Sequence, residues 1–442
     1  MPLSDACNVA VHDAILSAVE DYAARNPTSQ TLHTRARSHM PGGNTRSALY
    51  WAPFPLYVSR SSGYRVTDAD DHDYLDVLGE YSAGLYGHSE PVIREAIARA
   101  VERGFSNGAP GEDEIRLADL VCERFPSVES VRFCNSGTEA NLYAMTLARC
   151  ATGRSKVLVF SGAYHGGVFV FARGGSPMNV PYEWIVGSFN DSAGARSLMA
   201  QQGEELAAVI VEPMMSNGGC IPAEPEFLQT LRTGCTQVGA VLIFDEIVTA
   251  RMGAGGLQGL LRVKPDMTTF GKFLGGGFSS GAFGGRAELM NLMSPERPDA
   301  LPHAGTFNNN VYSMHVGFSA LDSVFTPERA QRLYEDGEAL RGRLSAMAAK
   351  ICPAIRFTGC GSIMSIHFCR RSIGRPEDLA DEPVQLKRLF HLDLLERGVY
   401  AAARGQINLS LPMGKPEFDS IASAVEAALA QRASLIRAIF AE

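Results

Sequence analysis

Ala240-Val-Leu-Ile-Phe-Asp-Glu246 is a run of five apolar residues closed by two carboxylates. A run this short, rich in β-branched and aromatic residues and without alternation, fits a strand buried on both faces. Similar runs stand upstream: VRFCN (131–135), KVLVF (156–160) and AAVIVE (207–212); DMTTFG (266–271) follows downstream. Helical stretches separate them, and buried strands that alternate with helices predict an α/β fold with a mostly parallel sheet covered on both sides.

Outside this block the pattern changes. Helical spacing runs from Val11 to Tyr22, and Asn26-Pro27-Thr28-Ser29 supplies stop signals before a turn-rich, aromatic segment from Pro41 to Pro55. After Val311 a long helical stretch leads to the strands IRFT and SIMSIHF. A helix over Gln385 to Arg397, a strand over Ile407 to Leu411 and a last helix ending near Phe440 follow. The expected division is an N-terminal segment, 1–75, that joins a small α/β domain, a large domain over 76–325, and the small domain itself over 326–442. No internal repeat or low-complexity linker interrupts the chain.

Composition narrows the ligand. The 442 residues carry a formal charge of −8 with no dense Lys/Arg block, which argues against a nucleic-acid partner. No apolar run approaches the roughly 20 residues that a membrane helix needs. Nine scattered cysteines lack the paired spacing of a metal site, so no metal is expected, and free thiols fit a reducing cytoplasm. The acidic start MPLSDACNVAVHDAILSAVEDY reads as a helix of the mature chain.

Several residues then fall where a parallel sheet delivers ligands, at the carboxyl ends of its strands. Ser136, Gly137 and Thr138 open a helix after VRFCN, where free N–H groups and the helix dipole can bind a phosphate; an ordinary N-cap explains them equally well. Asp245 ends a buried strand, where a carboxylate is costly without a cationic partner such as a protonated pyridine nitrogen, although a structural capping role is the simpler alternative. Lys272 precedes Phe-Leu-Gly-Gly-Gly on a tight turn. A lysine there can form a Schiff base with an aldehyde and, once freed, act as a general base; taken alone it could equally be a surface lysine. Tyr164, in Tyr-His-Gly, is placed to stack on a flat heterocycle or to fill a turn. Thr306, in HAGTFNNN, offers a second phosphate contact or a satisfied surface turn.

Taken together, SGTEA (136–140), YHG (164–166), Glu212-Pro213, FDEI (244–247), Lys272 and Gly305-Thr306 resemble, in order and spacing, the class III aminotransferases of fold type I, over about Pro41 to Pro412. The resemblance implies a seven-stranded large-domain sheet and pyridoxal 5'-phosphate as cofactor. Ser136, Gly137 and Thr138 would bind its phosphate, Tyr164 would cover one ring face, and Ile247 or Val248 the other. Asp245 would pair with the pyridine nitrogen, Glu212 would belong to the cofactor site, and Lys272 would be the Schiff-base lysine. Thr306 would reach the phosphate of a neighbouring subunit, because the family's active site lies at a homodimer interface.

PGGNTRSALYWAPFPL, EYSAGLYGHS, GKFLGGGFSSGAFGGR and GTFNNN are similar to the glutamate-1-semialdehyde aminomutase branch, and most closely to its bacterial β-phenylalanine (β-amino acid) aminotransferases. The chain departs from the aminomutases in reading Asn-Asn-Asn where they carry an Asn-Pro pair, and in placing Arg46 where they carry an apolar or small residue. A guanidinium grips a carboxylate through two parallel hydrogen bonds, so Arg46 is expected to hold the acid end of a β-amino acid donor. Arg404 stands where the β-amino acid aminotransferases carry a second substrate-recognition arginine, so the resemblance implies that it binds the acid group of a 2-oxo acid acceptor, 2-oxoglutarate or pyruvate; a surface or interface ion pair is the plainer alternative for either arginine. Tyr81, with Trp51 and Phe54, is a candidate wall for an aryl side chain, though packing is the commoner use of such rings. The expected reaction is ping-pong transamination. Aminomutase, racemase and ω-amine transaminase chemistry share every cofactor residue, and a non-catalytic binder of the same fold is the remote alternative.

Overall fold

A computed structural model describes residues 5–441. Its centre is a seven-stranded sheet in the order Ser130–Cys134, Gly281–Gly285, Met267–Gly271, Val241–Asp245, Leu206–Val211, Lys156–Phe160 and Glu183–Gly187. Only Gly281–Gly285 runs antiparallel to its neighbours. Leu206–Val211 and Val241–Asp245 are buried at every position, as expected for strands covered on both faces. Alternation sorts the side chains of the outer strands into two cores: Phe133, Phe270 and Ala282 face one, Cys134, Met267 and Phe283 the other. Helix Gly137–Thr152 covers the second face, while Glu112–Arg124 and Val311–Ser319 build the first core with Phe270 and Phe133.

Strand Gly281–Gly285 has no apolar run to announce it. Its glycines are needed because the neighbours are so close: a Cβ on Gly281 would lie 2.3 Å from the Ser136 oxygen, and one on Gly285 2.3 Å from the Asp266 oxygen. Sheet geometry, not side-chain hydrophobicity, selects this sequence.

Two smaller sheets flank the centre. Val58–Ser62, Arg65–Asp68 and Asp73–Asp76 form a meander whose last strand pairs in parallel with Val399–Tyr400 from the far end of the chain. Ile355–Cys360, Ile363–Phe368 and Gln406–Asn408 form an antiparallel sheet. Helix Asp5–Arg25 packs on Val384–Glu396.

One expectation at the N-terminus is corrected. Asn26-Pro27 ends the first helix, but it also starts a second, Pro27–Arg37, with Pro27 at the first position where its missing N–H is harmless. The cap comes from far along the chain: the Asp70 carboxylate accepts Thr28 N at 2.7 Å, Ser29 N at 2.9 Å and Ser29 Oγ at 2.7 Å. A local reading has no access to such a cap. The segment from Pro41 to Pro55 holds only two single helical turns, Pro41–Gly43 and Ser47–Leu49. Among the described residues no helix is long and apolar enough to cross a membrane.

Candidate active site

At the carboxyl edge of the central strands the polar residues converge. Ser136 caps helix Gly137–Thr152, its Oγ accepting Glu139 N at 3.2 Å, while Glu139 Oε2 accepts Asn135 N at 2.8 Å. The capping and anion-binding roles are therefore compatible: the cap engages the third amide and leaves those of Gly137 and Thr138 at the open end of the dipole. A Cβ on Gly137 would stand 2.5 Å from Ile247 Cδ1, so glycine is what lets Ile247 lie against the helix start.

Asp245 is 4 % exposed and held by hydrogen bonds from three neighbours. Its Oδ2 lies 2.8 Å from Asn141 Nδ2 and 2.8 Å from His165 Nδ1, and its Oδ1 accepts Ile247 N at 3.1 Å. Asn141 is fixed in turn by Thr269, whose hydroxyl donates to Asn141 Oδ1 at 2.6 Å. Neither Lys nor Arg pairs with this carboxylate among the described residues, which leaves room for an external cation. The buried Nε2 of His165 has no partner either. Glu212, also buried, accepts Tyr164 N at 3.0 Å and Ser216 N at 3.1 Å. Burial, reinforced by the Asp245 charge, holds its carboxyl above the usual range while His165 opposes the shift. Glu212 thus fixes the Tyr164 backbone and leaves the Tyr164 ring 43 % exposed.

Lys272 follows the strand Met267–Gly271 in a left-handed conformation, φ 54°. Its Nζ donates to the Tyr81 carbonyl at 3.2 Å. Burial first, then the charges of Arg404 and Arg46, pull its ammonium down to about 8, against the opposing pull of Asp245 and Glu212. A lysine in that range has a substantial neutral fraction near neutrality, as a nucleophilic amine requires.

The structure separates Ile247 from Val248. Ile247 lies between Gly137 and Gly271, beside the helix start and the residue before Lys272, whereas Val248 packs into the apolar cluster of Met214, Met252 and Leu257. Thr306 is exposed in a loop that Asn308 ties to Asn135, through a 2.8 Å bond from Asn135 Nδ2.

Three further residues meet at one ring. The Arg46 and Arg404 guanidinium carbons lie 5.8 Å and 5.0 Å from the Tyr81 ring centroid, and neither arginine is ion-paired among the described residues. The Tyr81 hydroxyl donates to Ala48 O, securing the loop that carries Arg46. Trp51 and Phe54 take no part. They are core residues, with ring centroids 4.9 Å and 5.2 Å from Tyr22, and Trp51 also meets His391 edge-on at 4.6 Å. Sequence reading passed over Asn141, His165 and Gln406. Asn141 directly follows the SGTEA motif and His165 lies inside YHG, so their positions were in view and only their shared partner was not.

These residues fit a planar, phosphorylated, cationic ring: open amides for the phosphate, Ile247 seated against Gly137 and Gly271 as an apolar wall, a buried carboxylate without a Lys or Arg partner among the described residues for a protonated nitrogen, and an amine lowered by burial. The fold and this arrangement define a pyridoxal-phosphate-dependent transferase of fold type I. The family model for class III aminotransferases matches residues 49–413, and the chain belongs to that family. It is 46% identical to a β-phenylalanine transaminase of Variovorax paradoxus over 95% of this chain and 96% of that protein. A crystal structure of a β-phenylalanine aminotransferase from the same organism superposes with a TM-score of 0.95 at 45% identity, covering 96% of this chain and 98% of that one. An ω-transaminase of Sphaerobacter thermophilus gives 0.86 at 38% identity, covering 92% and 98%. A glutamate-1-semialdehyde aminomutase of Pseudomonas aeruginosa, 24% identical with a TM-score of 0.89 over 98% and 100%, shares the fold.

Proposed function

We propose that this aminotransferase moves the amino group of a β-amino acid, an aromatic one such as β-phenylalanine included, to a 2-oxo acid. The observation that carries the reading is the pair of unpaired guanidiniums, Arg46 and Arg404, facing one tyrosine whose carbonyl holds the amine of Lys272. Similarity to the Variovorax enzyme supports the same donor class.

When bound, pyridoxal phosphate supplies an aldehyde for amines and a ring that stores the electrons released by the substrate carbon. Gly137 and Thr138 amides with Ser136 would hold its phosphate, Ile247 and Tyr164 would border its ring, and Asp245 would favour the protonated ring nitrogen. Asn141 and His165 steady Asp245 with hydrogen bonds. Lys272 would anchor the cofactor through its amine. Once displaced, Lys272 Nζ takes the proton from the amine-bearing carbon of the donor and, in the return half of the ping-pong cycle, delivers one to the acceptor's carbon. Arg46 fixes the donor's carboxylate one carbon further from the amine than in an α-amino acid. Arg404 receives the acid group of the acceptor, and Tyr81 spaces the two.

Thr306 serves the phosphate of a second copy in a homodimer. Its exposure, beside Phe307 at 59 % and near Phe105 at 70 %, whose carbonyl accepts Val311 N, supports that reading. Nine free cysteines suit a cytoplasmic location.

The test is to mix purified holoenzyme with a panel of amines and β-amino acids and follow loss of the visible cofactor band, in the parent and in Arg46→Ala. The variant is expected to raise the KM for carboxylate donors by roughly 30- to 100-fold, the worth of a charged, bidentate contact, and to leave simple amines near the parent value. An equal effect on both would favour an amine transaminase. Absence of any bleaching would leave only a binding protein.

A further inference from the structure

We propose that Gln406 and Asn408 form a buried positioning relay that ties the Arg404 guanidinium to the left-handed turn presenting the Tyr81 carbonyl to Lys272. The proposal rests on the roles given above to Arg404 and Lys272.

The turn needs holding. Gly79, Glu80, Tyr81 and Ser82 have φ of 49°, 44°, 55° and 81°, and three of these four lack glycine's freedom, so the conformation persists only if its surroundings impose it. Four groups do so. Asp76 Oδ1 accepts Leu78 N at 2.9 Å and Gly79 N at 3.0 Å, and its Oδ2 lies 2.8 Å from His88 Nε2. Arg251, 1 % exposed, donates to Ser82 O at 2.9 Å. Asn408 Nδ2 donates to Leu78 O at 2.7 Å.

Asn408 is the member that reaches the substrate side. Its Oδ1 accepts Gln406 Nε2 at 2.8 Å, and Gln406 Oε1 accepts Arg404 Nε at 3.0 Å and Arg404 Nη2. Both amides are 1 % exposed and stand two residues apart on one strand, pointing to the same side. Each amide uses its oxygen toward one neighbour and its nitrogen toward the next, so flipping either would set like atoms against each other. The relay therefore has one polarity, ending in an acceptor at Arg404.

The residue type at 406 matters as much as the geometry. A carboxylate there would also hold Arg404, but it would neutralise the guanidinium and take the place of a substrate's acid group. An amide orients Arg404 and leaves its charge free. Arg404 and Gln406 border a cavity of about 520 Å³ shared with Ser216, Asn217, Ser365 and Lys387, so the held guanidinium faces space that a ligand can enter. Burying two amides is costly unless every bond is made, and here the bonds lead from Arg404 to the Leu78 carbonyl, which also accepts Tyr81 N at 3.0 Å and so opens the turn that carries the acceptor of Lys272.

The experiment is steady-state ping-pong kinetics of the holoenzyme together with a pH titration of its visible cofactor band. Gln406→Glu is expected to raise the acceptor KM at least tenfold, keep the donor KM within twofold, and move the titration midpoint up, because Arg404 no longer adds free positive charge near Lys272. Asn408→Ala is expected to lower kcat at least tenfold with either substrate varied and to shift the midpoint as well. Equal effects of Gln406→Glu on both KM values, or none, would overturn the relay; so would an Asn408→Ala protein that melts earlier while kcat and midpoint hold. If Asn408→Ala does not fold, the Gln406→Glu arm decides alone. A parent enzyme inactive on β-amino acids would sink the substrate assignment, whereas the band titration would still judge the relay.

Discussion

On the Asp245 side of the site, the polar groups sit at strand ends of the main sheet or on the turns and helix that follow them. On the Tyr81 side they come from residues 46–48, 79–82 and 404–408, and none of these lies on that sheet. The first side is positioned by the regular spacing of parallel strands, which fixes where a strand's last residue points. The second is positioned by side-chain hydrogen bonds between segments far apart in the chain and by a turn held in a disfavoured conformation. The proposed function puts the cofactor chemistry on the side built by the sheet and the reading of a substrate's acid group on the side where a few side chains can be exchanged without disturbing the sheet.

The residue at which the two sides meet gives the largest expected effect. Lys272→Ala should lower turnover by more than about 10⁴-fold and remove the visible cofactor band, because both nucleophile and base are lost. Stopped-flow absorbance checks it, and a variant retaining a tenth of the activity would break the comparison at its centre. Asp245→Asn comes next. Removing the charge from a buried site built to receive a cation should reduce kcat by about 10³-fold, in line with breaking a buried ion pair, while the KM ratio of acids to amines stays put. A change in that ratio would mean the two sides are less separate than described.

A stability measurement sharpens the other side. His391 lies beneath it, fully buried against Trp51, and burial pulls its pKa down to about 4 from an ordinary 6.5. Folding favours the neutral ring, so this contribution is complete above pH 6.5 and is lost as the pH falls from there toward 4. The loss should reach about 3 kcal/mol at the acid end. Denaturant unfolding of the parent and His391→Phe across that window tests it: the parent should lose stability with acid more steeply than the variant, and parallel curves would refute the assignment. The smallest effect concerns strain. Ser82→Gly should relieve a left-handed residue worth about 1 kcal/mol, partly offset by the greater freedom of the unfolded chain. A net loss of stability in the same assay would show that the serine conformation carries no strain.

The two sides also differ in what a linear reading can see. AVLIFDE, KVLVF and AAVIVE announce their strands by composition, and Asp245 and Lys272 follow from where those strands end. GAFGG is invisible by the same test, because close backbone contact rather than apolar area selects it. Asn141 and His165 sat within or beside recognised motifs, yet only three dimensions bring both onto one carboxylate oxygen. Arg46, Tyr81 and Arg404 were each legible, but their meeting was not: over 300 residues separate Tyr81 from Arg404. The Asp70 cap of the second helix and the core role of Trp51 depend on contacts of the same long range.

Parallel pairing of Asp73–Asp76 with Val399–Tyr400 has a consequence for biosynthesis. The earlier strand leaves the ribosome hundreds of residues before its mate exists, and until then it is an unpaired edge able to recruit foreign strands. Closing so long a loop is slow, which makes this seam a natural point for chaperone protection. The segment that finally closes it also brings Arg404, so the Tyr81 ring meets that guanidinium only after this late strand has been made.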